Sequence, residues 1–308
     1  MEKAILSKEI KSIASKIGFH KCGITGTHKL EEEGKILSSW LQSGYHAEMT
    51  YMERNFEKRV HPALLVEGAL SVVVVLYPYF QSTPFWENNT KISIYALGKD
   101  YHDVLKAKLW VLLKEIQKLE PKAEGRFFVD SAPVMEKVLA QKCGLGWIGK
   151  NSCLITHKGS FFFIGVLFLN LDLEVDLPSN SFCGRCNRCI EACPTKAIVS
   201  PGILDARKCI SYLTIEKKGK IQAEHRNAIK ESGYIFGCDI CQIVCPYNKK
   251  SVSTQDPEFL NLNSICQSIS SKEVLYSSEF KSMSRNTAFS RIPLEKLLDN
   301  MDEDESSA

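Results

Sequence analysis

The chain has 308 residues, 44% of them hydrophobic, and a formal net charge of +3. This length suggests about two domains, the hydrophobic content allows a real core, and so small a charge says nothing by itself about nucleic acid. The longest apolar stretch, residues 161–169, is far shorter than the ~20 residues of a membrane helix. We therefore expect a protein that has no membrane partner.

The N-terminus and the cysteines indicate the compartment. The first residues lack the apolar region of a signal peptide, so we expect no export. The chain contains 12 cysteines, and without an export signal this number favours metal ligation in a reducing compartment over disulfides. We therefore expect a cytoplasmic protein.

The first 176 residues mix helical and strand patterns, which predicts an α+β layer, an N-terminal α/β domain over 1–176. Apolar residues at helical spacing, with Pro as a start or stop signal, predict helices over 8–17, 30–41, 45–56, 103–119 and 132–142. Runs of β-branched and aromatic residues predict strands over 69–76 and 126–129, and a hairpin formed by 151–156 and 160–171.

Eight of the cysteines lie within residues 183–245, in two related runs and one position between them. The first run has the spacing C-x2-C-x2-C-x3-C-P and extends from Cys183 to Pro194. This is the spacing by which bacterial ferredoxins hold a [4Fe–4S] cluster. The second run is one cysteine shorter and extends from Cys238 to Pro246. In both runs Pro ends the local helix and leads the chain away from the cluster.

In two-cluster ferredoxins the fourth cysteine of a run ligates the other cluster. This rule predicts a first [4Fe–4S] cluster on Cys183, Cys186, Cys189 and Cys245. The second cluster is then expected on Cys193, Cys238, Cys241 and Cys209, which is the only cysteine between the runs. Zinc, which prefers closed four-ligand sets, and disulfides are the alternatives. The repeated C-x3-C-P pattern favours clusters.

Three segments follow from these patterns. We expect the N-terminal domain over 1–176, a ferredoxin-like domain over 177–255 and a short helical C-terminal extension over 256–308. A segment with acidic residues and Pro, 172–181, is typical of a linker. One or two helices are expected within 264–289, and a disordered acidic tail over 299–308.

Some stretches of the N-terminal part are unusual for a scaffold. Residues 95–102 combine Gly, an acid, aromatic residues and His, and residues 144–151 are Gly-rich. Gly lets the backbone approach a ligand closely, although this run lacks the G-x-G-x-x-G nucleotide pattern. Asp130 stands between a predicted strand and a predicted helix, where a plain N-capping role explains it as well as a functional one.

Together with the cysteines, these stretches resemble the epoxyqueuosine reductase family over about residues 1–250. The matching segments, in order, are 58–59, 98–105, 129–131, 150–151, 159–160, 183–194, 207–214 and 234–248. Many members of this family continue into a helical-repeat domain, whereas this sequence ends at Ala308. We therefore expect a short form without the repeats, in which 284–291 is a remnant of the junction.

The resemblance implies an oxidoreductase that reduces epoxyqueuosine to queuosine at the wobble position of tRNA, the last step of queuosine biosynthesis. It implies base-off cobalamin in the N-terminal domain and electrons delivered singly through two [4Fe–4S] clusters, with the protein supplying orientation and electrostatics. The implied partners are a tRNA with a GUN anticodon and an external electron donor. The enzyme is expected to be a monomer.

The resemblance also implies the site residues. The departing epoxide oxygen needs a proton, which a carboxylic acid in a covered pocket can supply, and Asp130 is implied as that acid. Cobalamin contacts are implied, by position, at Arg59, Asp130, Ile148, Gly149, Lys150, Asn151, Leu154, Ser211 and Asp239. His102 stands in a run similar to the D-x-H-x-x-G signature of His-ligated cobalamin. Leu105 replaces the required Gly, so no protein ligand to cobalt is expected.

The basic run 217–220 stands beside the cysteine region, and there we expect Lys218 to contact tRNA phosphates, with the target base flipped out of its stack. The remaining cysteines are expected to be buried free thiols: Cys22, Cys143, Cys153 and Cys266. Two other classes stay open, a dehalogenase-like corrinoid iron–sulfur reductase and a non-enzymatic electron-transfer module. The missing export signal argues against the first, and the large N-terminal part argues against the second.

Overall fold

The computed structural model of the chain describes residues 2–81, 90–260 and 272–301. The helices are α1 (Lys3–Ile17), α2 (Glu31–Gln42), α3 (Phe56–Val60), α4 (Tyr101–Leu119), α5 (Glu136–Lys142), α6 (Arg188–Glu191), α7 (Ile210–Ile215), α8 (Ala223–Ser232), α9 (Ile240–Ile243), α10 (Pro257–Leu260), α11 (Lys272–Tyr276), α12 (Ser278–Ser284) and α13 (Leu294–Met301). The strands are β1 (Lys21–Gly26), β2 (Ser71–Pro78), β3 (Lys91–Ile92), β4 (Gly125–Phe128), β5 (Trp147–Ile148), β6 (Leu154–Ile155), β7 (Phe162–Leu169), β8 (Ile198–Ser200), β9 (Ile203–Leu204) and β10 (Tyr234–Phe236).

A four-stranded antiparallel sheet in the order β1-β2-β7-β4 forms the centre of the N-terminal part. Val73 and Val75 of β2 belong to a core that includes α1 and α4, whereas Val72 and Val74 point to the other face and pack with α5. Both faces of β2 are therefore buried, which explains its unbroken β-branched run. The predicted α+β layer is confirmed.

Most predicted elements are present with small shifts at their ends. The predicted helices 8–17, 30–41 and 103–119 correspond to α1, α2 and α4. The predicted strands 69–76 and 126–129 correspond to β2 and β4. These elements have strong periodicity or unbroken apolar runs, and their own residues therefore determine what they form.

Two predicted helices are wrong in whole or in part. The segment 45–56 forms turns and a short 3-10 helix, Thr50–Met52, because Ala47 and Asn55 adopt left-handed backbone conformations with φ of 53° and 56°, which interrupt a right-handed helix. The helix expected over 132–142 begins only at Glu136. Before it, the amide of Val134 donates to the carbonyl of Ala132 at 2.7 Å, which closes a tight turn.

The predicted hairpin of 151–156 with 160–171 is also wrong. β6 pairs with β5, and β7 pairs with β2 and β4. β7 is buried along nearly its whole length, so a central place in the sheet covers both of its faces, whereas a hairpin would leave one face exposed. Only a single bridge, between Thr156 and Gly159, remains of the expected turn.

The cysteine region consists of short elements and long connections. Residues 172–183 contain no helix or strand, α6 packs against α9, and β8 pairs with β9. The C-terminal helices α11 and α12 lie within the predicted range 264–289, of which 264–271 is outside the described residues. Residues 302–308 of the predicted acidic tail are also outside them. No helix among the described residues is both long and apolar enough to cross a membrane.

Candidate active site and cysteine centres

A cavity of about 1080 Å3 opens beside Asp130, between the N-terminal part and the cysteine region. Its wall is formed by α2, by the segments 51–59 and 130–138, by Gln141, Ile148 and Ser152, by residues 201–204, and by Glu216 and Arg291. The wall mixes apolar side chains with several ionisable groups. A large cleft of this composition suits an organic ligand that also carries polar groups.

Asp130 projects from a loop into this cavity. Its φ of 53° is left-handed, a conformation that non-Gly residues adopt rarely and often at functional sites. Tyr101, the first residue of α4, donates its hydroxyl proton to Asp130 Oδ2 at 2.6 Å. The Tyr101 ring stacks on Phe163 of β7 with 4.3 Å between the ring centroids. Packing against the sheet therefore fixes Tyr101, and Tyr101 in turn fixes the Asp130 carboxylate.

The hydroxyl of Tyr101 remains a donor over the physiological pH range. Burial, followed by the neighbouring charge of Asp130, raises the pKa of Tyr101 far above its ordinary value. A phenol that cannot ionise beside a carboxylate can only donate to it. One oxygen of Asp130 is therefore occupied, and the other is available to the cavity.

Asp130 does not cap a helix. The helix after it begins at Glu136, its N-cap is Met135, and no side chain makes the capping hydrogen bond. An Asp cap accepts from the amide two or three residues further on, and Asp130 lies too far before α5 to do so. The capping explanation of Asp130 is thus wrong, because the turn at 132–134 delays the helix.

Two buried polar atoms lie without hydrogen-bond partners in the wall of the cavity. They are Nε of Arg59 and Oε1 of Glu136, and neither has a partner within the described part of the chain. Arg59 makes one long bond, from Nη2 to the Tyr51 carbonyl at 3.3 Å. Since buried polar groups are nearly always paired, these two atoms indicate a polar ligand in the cavity.

Glu136 is an ionisable group with a strongly altered environment. Burial, and next the charge of Asp130, raise its pKa from 4.5 to about 7. Burial also lowers the pKa of Arg59, which the charge of Glu136 partly opposes. Perturbed groups of this kind cluster at functional sites.

The other residues predicted to contact cobalamin lie in different parts of the structure. Ile148 lines the Asp130 cavity. Lys150 donates to Asn187 Oδ1 at 2.9 Å, and Asn151 donates to the Cys241 carbonyl at 3.3 Å, so both side chains point to the cysteine region. They stay predictions as cobalamin contacts, and their contacts here join the β5–β6 hairpin to the cysteines.

Gly149, Leu154, Ser211 and Asp239 also stay predictions. A Cβ at Gly149 would lie 2.3 Å from Ile155 Cδ1, so a larger residue there would force the Ile155 side chain to move. Leu154 is buried in the core that includes α5. Ser211 lies on α7. Asp239 is buried, and it accepts bonds from Ser93 and from the Ile94 amide.

The first predicted cluster set is brought together. A second cavity, of about 390 Å3, is lined by all four of its thiols, Cys183, Cys186, Cys189 and Cys245. Cys245 comes from the second run, as the crossover rule requires. Trp147 and Tyr247 pack edge to face beside this cavity, with 4.9 Å between their ring centroids. The arrangement supports the predicted ligand set.

The thiols of the second set lie near one another. Burial, and next the nearby Cys209, raise the pKa of Cys238. A hydrogen bond with Cys153, then burial, then the nearby Cys153, Cys238 and Cys209 raise the pKa of Cys241. Cys209 is thus near Cys238, and the second ligand set stays a prediction. A fifth thiol, Cys153, forms a hydrogen bond with Cys241, a contact that the sequence did not predict.

The geometry of the thiols favours clusters over the alternatives. All described cysteines are free. The four thiols of the first set surround one cavity, as the ligands of a single [4Fe–4S] core do. Of the remaining cysteines, Cys143 is buried, Cys22 is half-buried and Cys266 lies outside the described residues.

Lys218 is an exposed lysine two residues after Glu216, which lines the Asp130 cavity, but Lys218 is not itself part of the cavity wall. Its backbone amide donates to Glu48 Oε2 at 2.8 Å, and the neighbouring Lys217 forms an ion pair with the same carboxylate. Lys217 thus has a structural partner, which leaves Lys218 and Lys220 as the exposed lysines of this run.

Sequence reasoning missed the roles of Tyr101, which contacts Asp130, and of Glu136 and Arg291, which line the cavity. Tyr101 and Glu136 stand in stretches that the sequence marks as unusual, but nothing in the sequence shows which residue contacts Asp130. Arg291 lies in 284–291, the segment predicted to be a remnant of the junction. Its place in the wall depends on how the C-terminal extension folds back, which no local signal encodes.

Two family models match the chain. One, described as a 4Fe-4S double cluster binding domain, matches residues 182–248 and so contains both cysteine sets. The other, described as epoxyqueuosine reductase QueG, DUF1730, matches residues 59–131, from Arg59 to the residue after Asp130.

Relatives of known name and structure cover nearly the whole chain. The epoxyqueuosine reductase of Leadbetterella byssophila is 48% identical over 96% of this chain and 97% of its own length. A solved epoxyqueuosine reductase with a tRNA-Tyr epoxyqueuosine-modified stem loop is 31% identical, with a TM-score of 0.87 over 96% of this chain and 80% of that one. The Bacillus subtilis enzyme, solved with an aspartate catalytic loop swung out of the active site, is 30% identical, with a TM-score of 0.86 over the same shares.

Proposed function

The chain belongs to the epoxyqueuosine reductase family and is an oxidoreductase, and we propose that Asp130 is the acid of its reaction. The substrate is the epoxide of epoxyqueuosine at the wobble position of tRNA. Two electrons and two protons convert this epoxide into the alkene of queuosine and one water. The two [4Fe–4S] clusters of the double-cluster domain deliver the electrons one at a time.

The residues of the Asp130 cavity fit cobalamin. The cavity has about 1080 Å3, and the unpaired Arg59 Nε and Glu136 Oε1 could bond the amide groups around a corrin ring. Arg59, Ile148 and the loop at Asp130 would hold the cofactor. When bound, cobalamin supplies a centre that takes up single electrons and acts on carbon.

The chain itself supplies the proton. When the C–O bond of the epoxide breaks, the departing oxygen gains negative charge and needs a proton. Tyr101 occupies Oδ2 of Asp130, so Oδ1 would carry the proton that goes to the substrate. The single observation that carries this role is that Asp130 is held in a left-handed loop by Tyr101 and caps no helix.

The relatives support both parts of this proposal. The Bacillus subtilis enzyme has an aspartate on a catalytic loop that swings out of its active site, and Asp130 is likewise an aspartate on a loop at the cavity. Another relative binds an epoxyqueuosine-modified tRNA-Tyr stem loop. We therefore propose tRNA with a GUN anticodon as the partner, with the exposed Lys218 as a phosphate contact.

Two further features belong to the proposal. The electrons come from an external carrier, because nothing in this chain replaces them after a turnover, and the enzyme acts as a monomer in the cytoplasm. The dehalogenase-like alternative is not favoured, because the relatives that share 30% or more of their residues with this chain and cover most of it are epoxyqueuosine reductases. A pure electron-transfer module would leave the Asp130 cavity and its unpaired polar atoms without a role.

The substitution Asp130→Asn tests the proton donor. Asn keeps the shape and can still accept the bond from Tyr101, but it cannot give up a proton. We expect turnover to fall by at least ~10^2, the usual contribution of a positioned general acid. Turnover is measured anaerobically with epoxyqueuosine-containing tRNA and mass spectrometry of the nucleosides. Iron content and cobalamin binding, read from the absorbance spectrum, should be unchanged.

Asp103→Asn is the matched control, because Asp103 is exposed on α4 and does not line the cavity. It removes the same charge and should leave turnover nearly unchanged. Wild-type turnover in Asp130→Asn, with saturating tRNA and bound cobalamin, would falsify the catalytic role. A wild-type protein that binds no cobalamin would contradict the assignment of the cavity.

A further inference from the structure

Arg291 joins the C-terminal extension to the start of α4. Its Nε and Nη2 donate to Asp100 Oδ2 at 3.0 and 2.6 Å. Hydrogen bonds from a guanidinium to a carboxylate are among the strongest in proteins. Arg291 also lines the Asp130 cavity, so the same side chain belongs to the cavity wall and to the α4 N-terminus.

Asp100 links Arg291 to the first turn of α4 through hydrogen bonds. It is the N-cap, and its Oδ1 accepts from the His102 amide at 3.0 Å and from His102 Nδ1 at 2.9 Å. His102 Nε2 lies 3.1 Å from Arg291 Nη1. With Nδ1 protonated toward Asp100, Nε2 accepts from Arg291 Nη1, and Arg291 Nη2, which lies 2.5 Å from Nδ1, donates to Asp100 Oδ2 instead. Asp100, His102 and Arg291 therefore form a closed set of hydrogen bonds.

Asp100 is ionised in this set. Burial by itself raises its pKa, but the bonds from His102 and Arg291 outweigh burial and hold the pKa well below its usual value. The Asp100 side chain is only 14% exposed. Removal of Arg291 would leave a carboxylate with little solvent and without its cation, which is costly.

The set lies directly against the proton donor. Tyr101 stands between Asp100 and His102 in the sequence, and its hydroxyl holds Asp130. The Arg291 guanidinium lies 5.9 Å from the centroid of the Tyr101 ring. The backbone adds a further link, since the Asp100 amide donates to the Asn286 carbonyl at 2.6 Å. The C-terminal extension thus contacts α4 at its first turn, which orients the Tyr101 side chain.

We propose that Arg291 is a positioning residue for the reaction. By fixing Asp100 and the first turn of α4, it sets the direction of the Tyr101 hydroxyl and thereby the orientation of Asp130. This inference rests on the proposed role of Asp130 as proton donor. It assigns to the C-terminal extension a part in the chemistry, in addition to any part in holding tRNA.

The first test separates kcat from KM in Arg291→Met. We expect kcat at saturating tRNA to fall roughly 10- to 100-fold, the range that a misplacement of about 1 Å can cause, and KM for tRNA to change less than about threefold. Arg291→Lys keeps the charge without the forked geometry and should recover part of the loss. Iron content and cobalamin binding are measured in each variant to establish that the protein is folded.

Arg285→Met is the control, because Arg285 is an exposed arginine of the same extension. It should retain wild-type kcat. Arg291 is 43% exposed, so a tRNA phosphate is the competing partner. A large rise in KM, with wild-type kcat at saturation, would assign Arg291 to tRNA binding and overturn the positioning role.

The second test is a double-substitution cycle. If Arg291 acts through Asp130, Arg291→Met should lower kcat by less than about twofold in an Asp130→Asn background, because effects along one path are not additive. Asp100→Asn should reproduce the loss seen in Arg291→Met and should not add to it. If the losses of kcat in the two single variants multiply in the double variant, this inference is overturned, whereas the role of Asp130 as proton donor is not. Wild-type turnover in Asp130→Asn would overturn both.

Discussion

The cysteine ligands all come from one continuous stretch, 183–245, whereas the side chains around Asp130 come from segments as distant as α2 and Arg291. Within the stretch, short C-x-x-C turns fix where three thiols stand relative to one another, whatever the rest of the chain does. Around Asp130, orientation depends on distant partners, since Tyr101 lies 29 residues before Asp130 and Arg291 lies 191 residues after Asp100.

This difference predicts how the two regions respond to substitution. Loss of one thiol should remove one cluster and leave the other, since each set is nearly self-contained. Loss of one group at the cavity should affect its neighbours, because their orientations depend on one another. The next three predictions test this contrast and are given in order of decreasing expected effect.

Cys209→Ala should have the largest effect. Cys209 is the one thiol of the second set that lies outside both cysteine runs, and it lies near Cys193 and Cys238. We expect iron to fall from about eight atoms per chain to about four, by the two-cluster ligand count. Turnover should disappear because electrons no longer reach the cavity. Iron analysis and low-temperature EPR of the reduced protein measure the loss.

Cys153→Ala is the sharpest control, because Cys153 contacts Cys241 and is the rival fourth ligand. It should retain about eight irons, by the same ligand count. A protein that loses one cluster in Cys153→Ala and keeps both in Cys209→Ala would show that the second set is assigned wrongly. Stoichiometric zinc without acid-labile sulfide would exclude clusters altogether.

Glu136→Gln tests a group that only the tertiary structure shows. The pKa of Glu136 is raised from 4.5 to about 7 by burial, so the folded protein binds a proton that the unfolded chain releases between these values. Its contribution to stability is fully present below about pH 4.5 and is lost as pH rises through about 7. Gln imitates the protonated acid at every pH. We therefore expect the variant to be more stable than wild type at pH 8, by about 1–3 kcal/mol, and by less than about 1 kcal/mol at pH 5, which is only just above the unfolded-state pKa.

This expectation is tested by melting temperatures at both pH values. They are measured on the cobalamin-free protein with intact clusters. A rise of a few degrees at pH 8 corresponds to the expected stabilisation. Glu9→Gln on the exposed face of α1 removes a charge of the same kind and should shift neither value. Equal melting temperatures for Glu136→Gln and wild type at pH 8 would mean that Glu136 ionises without cost, and hence that its site is open to water.

Reversal of Lys218 and Lys220 to Glu should have the smallest effect, a weaker affinity for tRNA. Each lost phosphate contact should reduce the slope of log K against log salt by ~0.9 or less. Lys217 is kept, since its ion pair with Glu48 holds the loop. Reversal of Lys8 and Lys16, which are exposed on α1, changes the net charge equally and serves as the control. A slope that is equal in both double variants would place the tRNA surface elsewhere.

The sequence by itself determined the elements and ligands whose information is local. α1, α2, α4 and β2 follow from periodicity or an unbroken β-branched run, and the two cluster runs follow from the reach of short turns between thiols. The same runs, together with the stretches at 98–105 and 129–131, were enough to indicate the family. Asp130 was named from that resemblance and not from its surroundings.

The tertiary structure decided what depends on distant partners. β7 pairs with β2 and β4 instead of β6 because both of its faces need cover, and left-handed residues such as Ala47 and Asn55 end a pattern that looked helical. Tyr101, Glu136 and Arg291 reach Asp130 or its cavity only after the sheet and the extension have folded. Side-chain orientation and burial are set by such packing, and a pattern along the chain does not contain them.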